Sequence, residues 1–131
     1  MDFPAIPKTL TAVIARRTLI FVTKAGRQRV SIRIGKPVRD VRTAGGLDWR
    51  CPVAITGSSR RALRGIGVDS LQAVIHALKL VEIEITAQER ERKGRFEWLG
   101  RPWHGTLALD VAPSNAQRKR TNKRQKSRTR A

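Results

Sequence analysis

Cys51, His76 and His104 are the side chains in this 131-residue sequence whose types could support covalent or metal chemistry. A thiolate nucleophile needs an imidazole beside it, and a zinc ion needs about four ligands of this kind. Three soft ligands at no CxxC or HxxxH spacing assemble neither device. Cys51 also alternates with Trp49 and Val53 on one strand face, where a buried, inert thiol is the usual outcome. His76 lies off the line Leu71, Ile75, Leu78 and is read as a boundary residue. Glu82 and Glu84 point about 200° apart on a helix, which excludes a paired acid and base on one face. Glu89 and Lys93 form an i,i+4 pair that supports an exposed helix end. No grouping of Ser, His and acid stands out, so the chain is read as non-enzymatic, with no metal and no cofactor.

Cations offer more. Arg60, Arg61 and Arg64 precede Gly65-Ile66-Gly67 and a helix start, the setting in which backbone amides bind anions. Asp69 at the cap takes those amides with its own carboxylate and repels a phosphate there. A lone GxG also lacks the full nucleotide fingerprint. The three arginines are therefore read as a general basic face. Arg95, Phe96, Trp98, Arg101, Trp103 and His104 interleave aromatics with cations, the composition of a base-stacking surface. Period two assigns Phe96 and Trp98 to the core and leaves Trp103 and His104 as the exposed rings, beside Arg101; the competing reading folds Trp103 back as a lid on the core.

The last fourteen residues, RKRTNKRQKSRTRA, carry eight cations and no acid: Arg118, Lys119, Arg120, Lys123, Arg124, Lys126, Arg128 and Arg130. Such a segment cannot bury enough apolar surface to offset the entropy of ordering it, so it is expected to be a disordered polycation. Eight duplex phosphate contacts would give a log–log salt slope near about −7, from roughly −0.9 per contact.

The elements that must position these residues fit one domain, residues 1–117, with the tail at 118–131. The chain has 28 Lys and Arg against 10 Asp and Glu; without the tail's eight cations, 20 remain against all ten acids, so the body alone carries +10. One cysteine permits no intramolecular disulfide. The N-terminus has an acid and two prolines where a secretion signal would be basic and apolar, and no apolar run approaches the roughly 20 residues of a bilayer span. A cytoplasmic protein without membrane contact is expected.

Residues 15–23 are apolar and β-branched and predict a strand. Lys24-Ala25-Gly26-Arg27 turns the chain, and Val30, Ile32 and Ile34 alternate with Ser31, Arg33 and Gly35, completing a hairpin with one wet face. Pro37 ends it, and residues 38–47 read as a loop. Trp49, Cys51, Val53 and Ile55 predict a third strand pointing into the core, its Pro52 at an edge or bulge. Residues 60–67 read as a basic connector. Leu71, Val74, Ile75, Leu78, Val81 and Ile85 recur every three or four residues and predict an amphipathic helix from about Ser70 toward Arg92, capped by Asp69 or Ser70 and stopped by Gly94. RFEWL at 95–99 predicts a fourth strand, and residues 106–111 a last short one. The fold class is α+β: an antiparallel sheet of about four strands, β-β-β-α-β, with one long helix across a face.

The stretches Arg33-Ile34-Gly35-x-Pro37, Asp48-Trp49-x-Cys51-Pro52 and Gly67-Val68-Asp69-Ser70-Leu71-Gln72-Ala73 resemble a family of small bacterial domains of unknown function, over roughly residues 14–99. That resemblance implies a compact α+β domain and no activity, and the tail falls outside it. The expected function is sequence-independent binding of DNA or RNA through the basic tail, aided by the basic residues of the body. The alternative is an accessory or immunity-type protein-interaction module in which the tail is incidental and the hairpin or edge strand meets another protein. No small-molecule substrate is evident.

Overall fold

The computed structural model describes residues 5–103, so the expectations for His104, for a strand at 106–111 and for the tail at 118–131 lie outside the described residues. The element order is β1 (Val13–Thr23), β2 (Gly26–Gly35), β3 (Val38–Thr43), β4 (Gly46–Thr56), β5 (Arg60–Gly67), α1 (Ser70–Glu91), β6 (Arg95–Trp98) and β7 (Arg101–Pro102). The α+β class stands, with one helix on an antiparallel sheet; the sheet has seven strands rather than four.

The first hairpin forms as its pattern predicts. Thr23 pairs with Gly26 across Lys24 and Ala25, and Gly26 adopts φ +139°, which a side chain would oppose. Val30, Ile32 and Ile34 are buried, as are Leu19 and Phe21 facing them from β1. Two segments read as irregular are strands. Residues 38–47 contain β3 and the start of β4, joined by a turn in which Thr43 pairs with Gly46. Only Val41 of β3 is buried, so the segment shows no alternation; the backbone ladder to β4 makes it a strand. The connector at 60–67 is β5, paired with β4 without interruption from Thr56↔Arg60 to Trp49↔Gly67. Its cations and glycines hide a strand whose inward positions under α1, Gly65 and Gly67, must be small.

β4 is the hub. One side holds β5, and the other holds β2 along Val53–Thr56 and β3 along Gly46–Arg50. Pro52 pairs with Arg64 in the unshifted β4–β5 ladder and lies between the stretches of β4 that β2 and β3 pair. It is therefore a buried residue of a central strand, at neither the edge nor the bulge expected for it; its missing N–H falls where β4 has no partner on its other side.

α1 begins as expected, with Asp69 as the N-cap and its carboxylate accepting the Gln72 amide at 2.7 Å. Its buried face differs from the expected stripe. Ala73, Ala77, Val81 and Ile85 are buried, whereas Leu71 is 66% and Ile75 is 54% exposed. Val74 and Leu78 pack on the core only in part. The small residues face inward because the helix backbone rests on β5: a Cβ at Gly67 would come to 2.5 Å from the Ala73 amide nitrogen. Large side chains at 73 or 77 would lift the helix off the sheet.

β6 closes the core, stacking Phe96 on Phe21 with ring centroids 4.6 Å apart. Glu89 takes part in that closure: its carboxylate accepts the Phe96 amide at 2.8 Å, in place of the expected pairing with Lys93. Among the described residues no helix is long and apolar enough to cross a membrane.

Candidate nucleic-acid interface

Residues directly opposite in an antiparallel ladder share a face, so the register sorts every side chain of the sheet. The face toward α1 carries the core. The face away from it carries rows that run across the strands: Arg16, Arg33, Ala54 and Ala62; then Thr18, Ser31, Thr56 and Arg60; then Glu97, Ile20 and Arg29; then Arg95, Val22 and Arg27. Pro52 with Arg64 continues the series on the β5 side. Seven arginines thus emerge on one face, and the rows hold a single acid, Glu97, which lies 3.1 Å from Arg27. Ala54, Ala62, Thr18, Ser31 and Thr56 keep the middle low, and no aromatic side chain stands in these rows.

Past Pro52 on the same face, Arg50 is taken up by Asp40 at 2.9 Å, and five further acids lie on the other side. Glu82, Glu84, Glu89 and Glu91 lie on α1 and Asp69 caps it, all on the helix side of the sheet. Lys79 and Arg61 pair with Glu82 and Glu84 there, at 3.8 and 2.9 Å. The domain is therefore electrically two-sided, with unopposed cations concentrated on the open sheet face. Arg33 and Arg64 are half-buried on that face, and the Nε of each is shielded from solvent without a hydrogen-bond partner. Such a buried donor costs about 1–3 kcal/mol when left unmatched.

The residues singled out in the sequence separate on this geometry. Arg60 and Arg64 stand on the arginine face. Arg61 points the other way, toward α1, where its guanidinium grips the Glu84 carboxylate through Nε at 2.9 Å and Nη2 at 3.3 Å. Arg101 is exposed, but it pairs with Trp98 and shares that residue's side of the sheet. Trp103 is 5% exposed and its amide donates to the Phe96 carbonyl at 2.9 Å, so it is the lid on the core rather than a stacking ring. Arg118, Lys119, Arg120, Lys123, Arg124, Lys126, Arg128 and Arg130 are outside the described residues. Arg16, Arg27, Arg29, Arg33 and Arg95 were not singled out, although Arg27, Arg29 and Arg33 alternate with the apolar residues of β2 and carry a legible signal.

The nucleophile candidate is closed off. Cys51 is fully buried, its thiol donates to the Gly35 carbonyl at 3.4 Å, and burial pushes its pKa up, away from the reactive thiolate. His76 is on the surface with Nδ1 2.5 Å from the Ile66 carbonyl; a carbonyl only accepts, so Nδ1 carries the proton. Among the described residues no group of three or more His, Cys, Asp or Glu could hold a metal ion.

A protein-family model for a domain of unknown function, DUF6968, matches residues 15–111. The chain belongs to that family. The DUF6968 match starts where the sequence resemblance does and extends past its expected end at residue 99. It contains the whole arginine face, from Arg16 to Arg95, and leaves the tail outside. No curated protein and no solved structure matches the chain.

Proposed function

We propose that this DUF6968 protein is a non-enzymatic domain that binds nucleic acid without reading sequence, using the open arginine face as its platform and the cationic C-terminal run as an additional arm. One observation carries the reading: five adjacent rows of one sheet face hold seven arginines and one glutamate, and the acid next to them, Asp40, is already engaged by Arg50 at 2.9 Å. Guanidiniums pair with phosphate oxygens through fixed donor forks, and the half-satisfied Arg33 and Arg64 have donors to offer. The lack of aromatics on the face argues against base stacking and for a backbone partner, which favours a duplex over a single strand.

Titration of labelled duplex DNA and duplex RNA at several salt concentrations tests this. An Arg29→Gln, Arg33→Gln, Arg60→Gln variant is expected to lower the log–log salt slope by about 2 to 3, at roughly 0.9 per lost contact on DNA. Arg61→Gln, on the opposite side, serves as the control and is expected to leave the slope unchanged. A chain ending at Gln117 reports the arm separately. A triple variant that binds with the wild-type slope overturns the role of the face, whatever the truncated chain does.

A further inference from the structure

We infer that the outer edge of β5 accepts an extended acidic segment of a partner protein as an added strand. Among the described residues β5 pairs with β4 alone, so its other side is a sheet edge. The Ile66 carbonyl is held by His76 and therefore points away from β4. Backbone alternation then turns the main-chain groups of Arg64, Ala62 and Arg60 outward as well. These groups form a row of donors and acceptors in an eight-residue strand with no proline and no register shift. Such an edge is a template for another chain.

Beside the edge, between β5 and α1, lies a cleft of about 330 Å³ lined by Arg64, Gly65, Ile66, His76, Lys79 and Leu80. An added strand would alternate between the two faces: side chains on the helix side would enter the cleft, and those on the other side would meet Arg60 and Arg64. The fitting segment therefore alternates apolar with acidic residues. Charge excludes a second copy of this chain, because β5 against β5 would set Arg60, Arg61 and Arg64 against one another. This inference is independent of the nucleic-acid reading, since nucleic acid cannot extend a β-ladder.

The probe is a fluorescein-labelled peptide of roughly eight residues, a common strand length, alternating Glu and Val. Two controls share its length: one with Lys in place of Glu, and one of the same composition in blocks, Glu then Val. The alternating acidic peptide is expected to bind at least tenfold tighter than either control, and hydrogen exchange at the Ala62 and Arg64 amides is expected to slow at least tenfold on its addition. Leu80→Glu, at a half-exposed position, is expected to weaken binding at least tenfold. Equal affinity for the block peptide reduces the effect to bulk charge and overturns the inference. Unchanged exchange at Ala62 and Arg64 in wild-type protein overturns it without recourse to any variant, and so does wild-type affinity in Leu80→Glu.

Discussion

Gly65 of β5 lies directly beneath Ala77 of α1, so close that a Cβ on the glycine would overlap the Ala77 backbone nitrogen and, one turn earlier, the Ala73 carbonyl oxygen. Both obstacles are backbone atoms of a helix, which cannot rotate out of the way as a side chain can. Contact at this point sets the height of the helix above the sheet, and with it the cleft along the β5 edge.

Gly65→Ala should therefore cost about 3 kcal/mol or more, at or beyond the upper end of ordinary overpacking. Urea denaturation of the two proteins measures it directly. A loss below about 1 kcal/mol would mean that the helix can shift sideways and that the contact does not fix its position.

The buried line Ala73, Ala77, Val81, Ile85 makes an inverted prediction about the helix. Ala77→Leu adds volume where helix and strand backbones meet and should destabilise by about 1–3 kcal/mol. Leu71→Gln removes a large apolar side chain that is 66% exposed and should stay within about 0.5 kcal/mol. Hydrophobic size alone gives the reverse order, so one pair of denaturation curves separates the two pictures.

That reversal shows what the sequence could and could not disclose. The extent of α1 was readable from Asp69 and the three-to-four spacing, but its inward face was not, because the reason for Ala73 and Ala77 is a glycine on another strand. β5 was unreadable for the complementary reason: Gly65 and Gly67 occupy the positions where a strand usually shows apolar residues. β2 was legible because Val30, Ile32 and Ile34 mark one face and thereby expose the other. The arginine face lay half in view. Arg29 and Arg33 sit on the wet side of an alternating strand, yet only the register with β1, β4 and β6 shows that Arg16, Arg60 and Arg95 join them while Arg61 turns away.

At the helix start, the Asp69 carboxylate satisfies the Gln72 amide, and the Gln72 side chain reaches back to the Val68 amide at 2.7 Å. This is a variant of the capping box: Asp69 serves the Gln72 amide, while the Gln72 side chain serves the amide one residue before the cap. Asp69→Ala should cost about 1 kcal/mol, and Asp69→Asn much less, because asparagine caps nearly as well. Thermal unfolding of the two variants distinguishes loss of the cap from loss of the charge: equal destabilisation would assign the effect to charge.

Cys51 links stability to pH. Its thiol is buried, and desolvation raises its pKa above the ordinary value. In the unfolded chain the same thiol ionises near 8.5. A raised folded-state pKa means that the folded protein retains this proton after the unfolded chain has released it. The thiol's contribution is therefore complete below roughly pH 8.5 and declines above it, by about 1.4 kcal/mol per pH unit, until the folded thiol itself ionises. Cys51→Ala lacks this loss. Replacing the thiol carries its own fixed packing cost, so the useful quantity is the stability gap between the two proteins, which should shrink from about pH 7.5 to about pH 9.5. Contributions common to the two proteins cancel. Urea midpoints across that range measure the gap, and parallel curves would show that solvent reaches Cys51 despite its burial.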